Sequence, residues 1–193
     1  MHRLVAFGCS YTFGDSLPDC QSGAVEYSKL AWPSILSKDL GLQLVNNGSC
    51  GAANKKILLD ILKFSFLETD TVIVLWSFAN RGLLFDENGH ASLINKYDKN
   101  FYQVHTDYDL VMDTVLQIHH AKTYLQTKVK NYLSFYFDKS LNNFLSNAGP
   151  LQVPMMAEFM PMNSLAVDKA SDGMHPGLQS HRNMAGHIFS RIR

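Results

Sequence analysis

The chain alternates short apolar runs with longer stretches of helical periodicity. Residues 4–8 form a continuous apolar run followed by small polar residues, the mark of a strand buried on both faces. Across residues 28–40, Leu30, Ile35, Leu36 and Leu40 recur at helical spacing; Pro33 sets the helix start near itself and Gly41 supplies a cap. Residues 42–46 read as a second strand. Residues 53–67 carry Ile57, Leu58, Ile61, Leu62 and Phe66 as a helical stripe, and residues 71–76, "TVIVLW", are the strongest strand. A helix over 107–128 shows Leu110, Val111, Val115, Ile118 and Leu125; a strand follows at 132–137, and a weaker one at 154–160. Leu178, Met184, Ala185, Ile188 and Ile192 mark a last helix. Residues 82–106 mix polar and aromatic residues without a clear period and read as a long loop, a lid or partner surface.

Strand and helix in turn predict a parallel sheet covered on both faces, built as one domain over residues 1–193. The expected fold class is a flavodoxin-like α/β/α three-layer sandwich with about five parallel strands. Sites in such sheets form beyond the carboxyl ends of the strands. Four segments therefore matter: Gly8-Cys9-Ser10 after the first strand, "NNGSCGAAN" (46–54) after the second, "SFANR" (77–81) after the third, and "SDGMHPG" (171–177) before the last helix.

In the last segment, Asp172 and His175 lie three apart around a glycine. Pro176 disfavours α backbone at His175, which makes this a turn, and it suits the first position of the following helix. Such a turn can fold the carboxylate onto the imidazole, fixing its tautomer and stabilising the imidazolium. The plainer alternative is an exposed loop with a helix cap. Ser10, two residues past a buried strand and entering a helix, has its hydroxyl at the sheet edge near free backbone N–H groups that can hold an oxyanion. Its plainer alternative is an N-cap serine.

Taken in order, these segments resemble the SGNH hydrolases, also called GDSL esterases. Gly8-Cys9-Ser10-Tyr11-Thr12-Phe13-Gly14 fits that family's first block, Gly-Asp-Ser-x-Thr-x-Gly, with Cys9 in place of the aspartate. Gly51 fits the glycine of its second block, and Asp172-Gly-Met-His175 fits its last. The third block, Gly-x-Asn-Asp, is poorly matched: Asn80 is the nearest amide, about one position late, and Ser77 is the alternative donor. Trp76-Ser77-x-x-x-Arg81 also resembles a phage and bacterial subgroup, in which Arg81 would orient the site or bind an anionic group; otherwise it would form a surface ion pair. The resemblance implies a serine esterase acting on a small acyl ester, including O-acetylated carbohydrate, without cofactor or metal. Ser10, Asp172 and His175 would be catalytic, and Ser10, Gly51 and Asn80 would form the oxyanion hole. The rival reading is an inactive binding module on the same fold, such as a phage structural or glycan-binding component.

The letters Gly-Asp-Ser-Leu recur at residues 14–17, but Ser16 lacks the x-Thr-x-Gly that follows the nucleophile, and choosing it would strand the apolar residues 4–7. Composition narrows the remaining choices. Of 193 residues, 17 are Lys or Arg and 17 are Asp or Glu, so no basic excess points to nucleic acid. No apolar run approaches the ~20 residues that span a bilayer. The opening residues lack a signal peptide's pattern, and the expected location is cytoplasmic or virion-associated. Cys9, Cys20 and Cys50 match no zinc spacing and read as free thiols. His119 and His120 are adjacent on a helix and do not share a face. Met155, Met156, Met160 and Met162 read as core or pocket wall. The expected site walls, residues 82–106 and 150–171, mix Tyr97, Phe101 and Tyr102 with methionines and polar residues, a lining suited to a sugar or another mid-sized polar molecule.

Overall fold

The computed structural model describes residues 2–94, 98–147 and 157–192. The first apolar run forms β1 (Arg3–Gly8), followed by a single helical turn, α1 (Ser10–Phe13). Next come α2 (Trp32–Leu40), β2 (Gln43–Gly48), α3 (Asn54–Lys63) and β3 (Thr71–Trp76). An antiparallel hairpin, β4 (Gly82–Phe85) and β5 (Ala91–Ile94), leads to α4 (Lys99–Val104) and the long α5 (Asp107–Gln126). The chain continues with β6 (Asn131–Tyr136), α6 (Lys139–Asn147), β7 (Glu158–Phe159), α7 (Met162–Leu165) and α8 (Leu178–Ile192).

Five strands form one parallel sheet in the order β2-β1-β3-β6-β7. Numbered within the sheet this is 2-1-3-4-5, the flavodoxin-like order, whose direction of winding reverses between β1 and β3. The central strands have no solvent-facing side: Leu4 to Phe7 and Val72 to Trp76 are fully buried. This explains why they read as unbroken apolar runs. Helix α2 pairs with α8, and α3 with α5, covering the sheet in three layers. Helix α2 has no side-chain N-cap; the Trp32 N–H donates instead to Nδ1 of the buried His181 on α8, at 3.1 Å. Burial pushes that imidazole down to about 4, so it stays neutral and accepts.

Several expectations need correction. The stripe over 53–67 stops being helical at Lys63, because Phe64 turns extended. Its ring and that of Phe66 pack on Phe7, with centroids 5.6 and 6.0 Å away. Residues 82–106 are not a long loop but the β4–β5 hairpin and α4, apart from 95–97. Helices α6 and α7 were not anticipated. Of the strand expected over 154–160, only Glu158–Phe159 is formed among the described residues. Residues 150 and 154–156, including Met155 and Met156, and Tyr97 lie outside the described residues. Met160 is core, while Met162 is half-buried. No described helix is long and apolar enough to cross a membrane.

Candidate active site

Gly8 ends β1 because no side chain fits there. A Cβ would lie 2.1 Å from Thr12 Oγ1 and 2.8 Å from the Leu75 carbonyl oxygen. Thr12 can therefore fold back against the strand end, and α1 turns sharply. Cys9, not Ser10, is the N-cap, and its thiol is fully buried in the core. Ser10 thus becomes the first helical residue, and its hydroxyl is not used in capping. Gly14, in left-handed backbone, closes the turn through its N–H to the Ser10 carbonyl. The Gly-x-Ser-x-Thr-x-Gly spacing is the steric requirement of this one tight turn.

The second segment is the loop Asp168 to Gly177, anchored on the start of α8. Asp168 accepts from the N–H groups of Gln179 and Ser180 at 2.9 and 2.8 Å. Cross-loop backbone bonds join Ala170 to His175 and Gly177 to Asp168. Pro176 precedes α8 by two residues rather than opening it; it pairs with Lys169 in a β-bridge. Within the loop, Asp172 Oδ1 accepts from the N–H groups of Met174 and His175, at 2.9 and 3.0 Å. Its other oxygen, Oδ2, lies 2.5 Å from His175 Nδ1. Burial alone would raise the Asp172 carboxyl, but the His175 ring and these two N–H groups outweigh it and hold the group well below the usual carboxylate range. It is therefore ionised at neutral and mildly acidic pH.

The two segments meet. His175 Nε2 lies 3.0 Å from Ser10 Oγ. With Nδ1 donating to Asp172, Nε2 is left to accept the hydroxyl proton. The Tyr11 ring stands edge-on to the imidazole at 5.8 Å. The loop is tied to the serine side through Ser16, whose carbonyl accepts from both the N–H and the Oγ–H of Ser171, at 3.2 and 3.0 Å. Ser16 presents that carbonyl from left-handed backbone, φ 65°, unlike any other non-glycine among the described residues. Its own hydroxyl donates to Asp15 Oδ1 at 3.3 Å and does not face His175.

Sequence reasoning missed two nearby groups. Asp15 Oδ2 lies 4.0 Å from His175 Nε2, so the imidazole sits between two carboxylates. Asn54, buried at the start of α3, accepts the Ser77 N–H at 2.7 Å and donates to the Ser77 carbonyl and Thr114 Oγ1. It locks the end of β3. Only its place just after the glycine-rich turn hinted at this.

The expected oxyanion groups are placed as follows. Ser10 N–H, at the first helical position, has no acceptor within its helix. Gly51 sits in the turn after β2 with φ 74°, and its N–H donates to no backbone acceptor among the described residues. Leu93 of the hairpin approaches it, 3.8 Å from where a Cβ would lie. Asn80 is exposed; its carbonyl accepts from the Tyr102 hydroxyl, and its side-chain amide makes no hydrogen bond among the described residues. Ser77 Oγ is taken by Arg81 at 2.9 Å. Among the described residues Arg81 forms no ion pair; its guanidinium lies over the Phe78 ring, 5.0 Å from the centroid. Cys50 is exposed as a residue, but desolvation of its thiol and then the Asp15 carboxylate push it up to about 12, so it remains protonated. Among the described residues, no group of three or more His, Cys, Asp or Glu is arranged to hold a metal ion.

No protein-family model matches the chain, and no curated protein matches it in sequence. Solved structures do. A lipolytic protein of the G-D-S-L family from Veillonella parvula superposes over 99% of this chain and 100% of its own, at 11% identity and a TM-score of 0.55. A carbohydrate acetylesterase family member from Sinorhizobium meliloti matches 100% of this chain and 98% of its own, at 14% identity and 0.54. An acetyl xylan esterase from the rumen bacterium Butyrivibrio proteoclasticus matches all of this chain with 63% of its own, at 15% identity and 0.58. At such identities the likeness is one of architecture, and the chain has the α/β fold that these G-D-S-L lipolytic and acetylesterase proteins share.

Proposed function

We propose that this protein is a serine ester hydrolase of SGNH type acting on small acyl esters, with O-acetylated carbohydrate as the favoured class. The reading rests on one observation, the chain of contacts Ser10 Oγ to His175 Nε2 at 3.0 Å and His175 Nδ1 to Asp172 Oδ2 at 2.5 Å. Ser10 Oγ attacks the acyl carbon while its proton passes to His175 Nε2. Asp172 holds the ring and balances the imidazolium charge. The carbonyl oxygen, now negative, is received by the N–H groups of Ser10 and Gly51 and by the Asn80 amide. Collapse breaks the carbon–oxygen bond to the alcohol, which leaves with the proton from His175. Water then repeats the sequence on the acyl-serine and releases the acid.

The test is labelling with a fluorophosphonate, read by mass spectrometry, beside turnover of chromogenic acetyl, butyryl and decanoyl esters. We expect the label on Ser10 and faster kcat/KM on the short chains. A label on Ser16 or Cys9 would overturn the assignment of the nucleophile. A preference for the decanoyl ester would move the substrate to lipids. An unlabelled protein without turnover would make it a binding module.

A further inference from the structure

A cleft of about 590 Å³ opens beside the Ser10–His175 pair. Tyr11 and Pro176, which directly follow Ser10 and His175 in the chain, line it, and the Tyr11 ring stands 5.8 Å from the His175 imidazole, so the cleft adjoins the pair. Its floor is aromatic. Tyr11 stacks on Phe137 with centroids 4.9 Å apart, and Phe78 meets Phe137 edge-on at 5.0 Å. Phe137 is buried beneath the pair, while the half-buried Tyr11 and Phe78 rings are left to receive a flat or pyranose ring.

The rim is cationic. Lys139 and Lys169 both line the cleft, and among the described residues neither forms an ion pair. Lys169 Nζ donates to the Met174 carbonyl at 3.2 Å, which leaves further ammonium protons for a ligand. The acid in the lining, Asp138, is engaged elsewhere: it accepts from the Ala79 N–H at 2.7 Å and from the N–H and Oγ–H of Ser140 at 2.9 and 2.7 Å. The chain as a whole has no net charge. Asp172 and Asp15 face His175 and Asp138 is held by N–H and Oγ–H donors, so a ligand anion entering the cleft meets two ammonium groups that pair with none of them.

We infer that this cleft takes an ester whose ring carries a carboxylate, with the ring lying against Tyr11 and Phe78 and the carboxylate met by Lys139 and Lys169. The inference rests on the hydrolase reading for its ester, but the cleft can be tested without turnover.

Two acetyl esters of matched size are the probes: anionic 4-acetoxybenzoate and neutral 4-acetoxybenzamide. We expect kcat/KM to favour the anion by about tenfold at low salt, with the preference shrinking as salt is added. In a K139Q/K169Q variant the ratio should fall to about one; K139Q alone, at an exposed position away from the His175 loop, should lower it part of the way. Calorimetry with the Ser10→Ala protein should show saturable binding of 4-hydroxybenzoate, lost in the added double variant. Equal rates on both esters, without such binding, would overturn the inference and leave the hydrolase intact. Binding that depends on the lysines, without hydrolysis of either ester, would uphold the cleft and overturn the hydrolase. Absence of both would overturn both.

Discussion

Ser10 reaches the site from the fully buried end of β1, whereas Asp172 and His175 hang on a loop that is exposed from Ser171 to Met174. The serine side is fixed by steric fit: Gly8 against Thr12, Cys9 in the core, α1 wound in one turn. The histidine side is fixed almost wholly by hydrogen bonds, to Asp168, within the loop, and across to Ser16. Core packing resists change over several kcal/mol, while a net hydrogen bond contributes about 1 kcal/mol. One half of the site is therefore coupled to global stability and the other is adjustable without unfolding. The loop half is where geometry can be tuned, and where it can be lost quietly.

The sharpest test separates activity from stability on each side. Ser10→Ala should lower ester hydrolysis by roughly 10⁶-fold and Asp172→Asn by roughly 10⁴-fold, the sizes seen when a triad loses its nucleophile and its orienting carboxylate. Ser10→Ala should not move the thermal midpoint appreciably, since no packing is lost, and Asp172→Asn, which keeps Oδ1 as an acceptor but loses the charge facing His175, should lower it only modestly. A large fall in the midpoint for Asp172→Asn would break the comparison by placing the loop inside the cooperative core. Gly8→Ala should behave in the opposite way. Its new methyl collides with Thr12 and with backbone, so we expect destabilisation by about 3 kcal/mol, or roughly 6–12 °C in the midpoint.

The buried side should also answer to acid. His181 takes up a proton near 6.5 when unfolded but only near 4 when folded. The folded state thus binds fewer protons between those values, and stability falls as pH drops through that window, by about 3 kcal/mol in all. Urea denaturation at pH 7 and pH 4 would measure it; His181→Gln should flatten the difference. Asp172 adds to the loss only in stronger acid, because its carboxyl lies below the usual range. The smallest effect belongs to the loop. Ser171→Ala removes the Oγ bond to the Ser16 carbonyl but leaves the N–H bond. A several-fold drop in kcat is expected, with the midpoint unchanged; an unchanged kcat would mean that the Ser16 anchor does not position His175.

What could be read from the sequence follows from range. The buried strands were legible because burial on both faces leaves unbroken apolar runs. Asp172 and His175 were legible because three residues and a glycine suffice to join them. The serine turn was legible because its steric demands are written in seven consecutive positions. The end of α3 was not, since Phe64 and Phe66 leave the helix to meet Phe7, far away in sequence. The β4–β5 hairpin was hidden for another reason. Its strands have four residues each, and Leu84, Phe85 and Leu93 are partly exposed, so no two-fold alternation marks them. Asp15 beside His175, the left-handed Ser16 and the role of Asn54 depend on segments brought together only by the sheet.

The hydrogen bond between Ser10 and His175 joins residues 165 apart. That separation has a consequence during synthesis. A ribosome makes the serine turn well before the imidazole. A nascent chain halted before residue 175 carries the serine turn without the imidazole that the proposed mechanism uses as its base. The contact needs α8, packed on α2, to carry the loop back to the end of β1, and a contact of such long range forms late in folding.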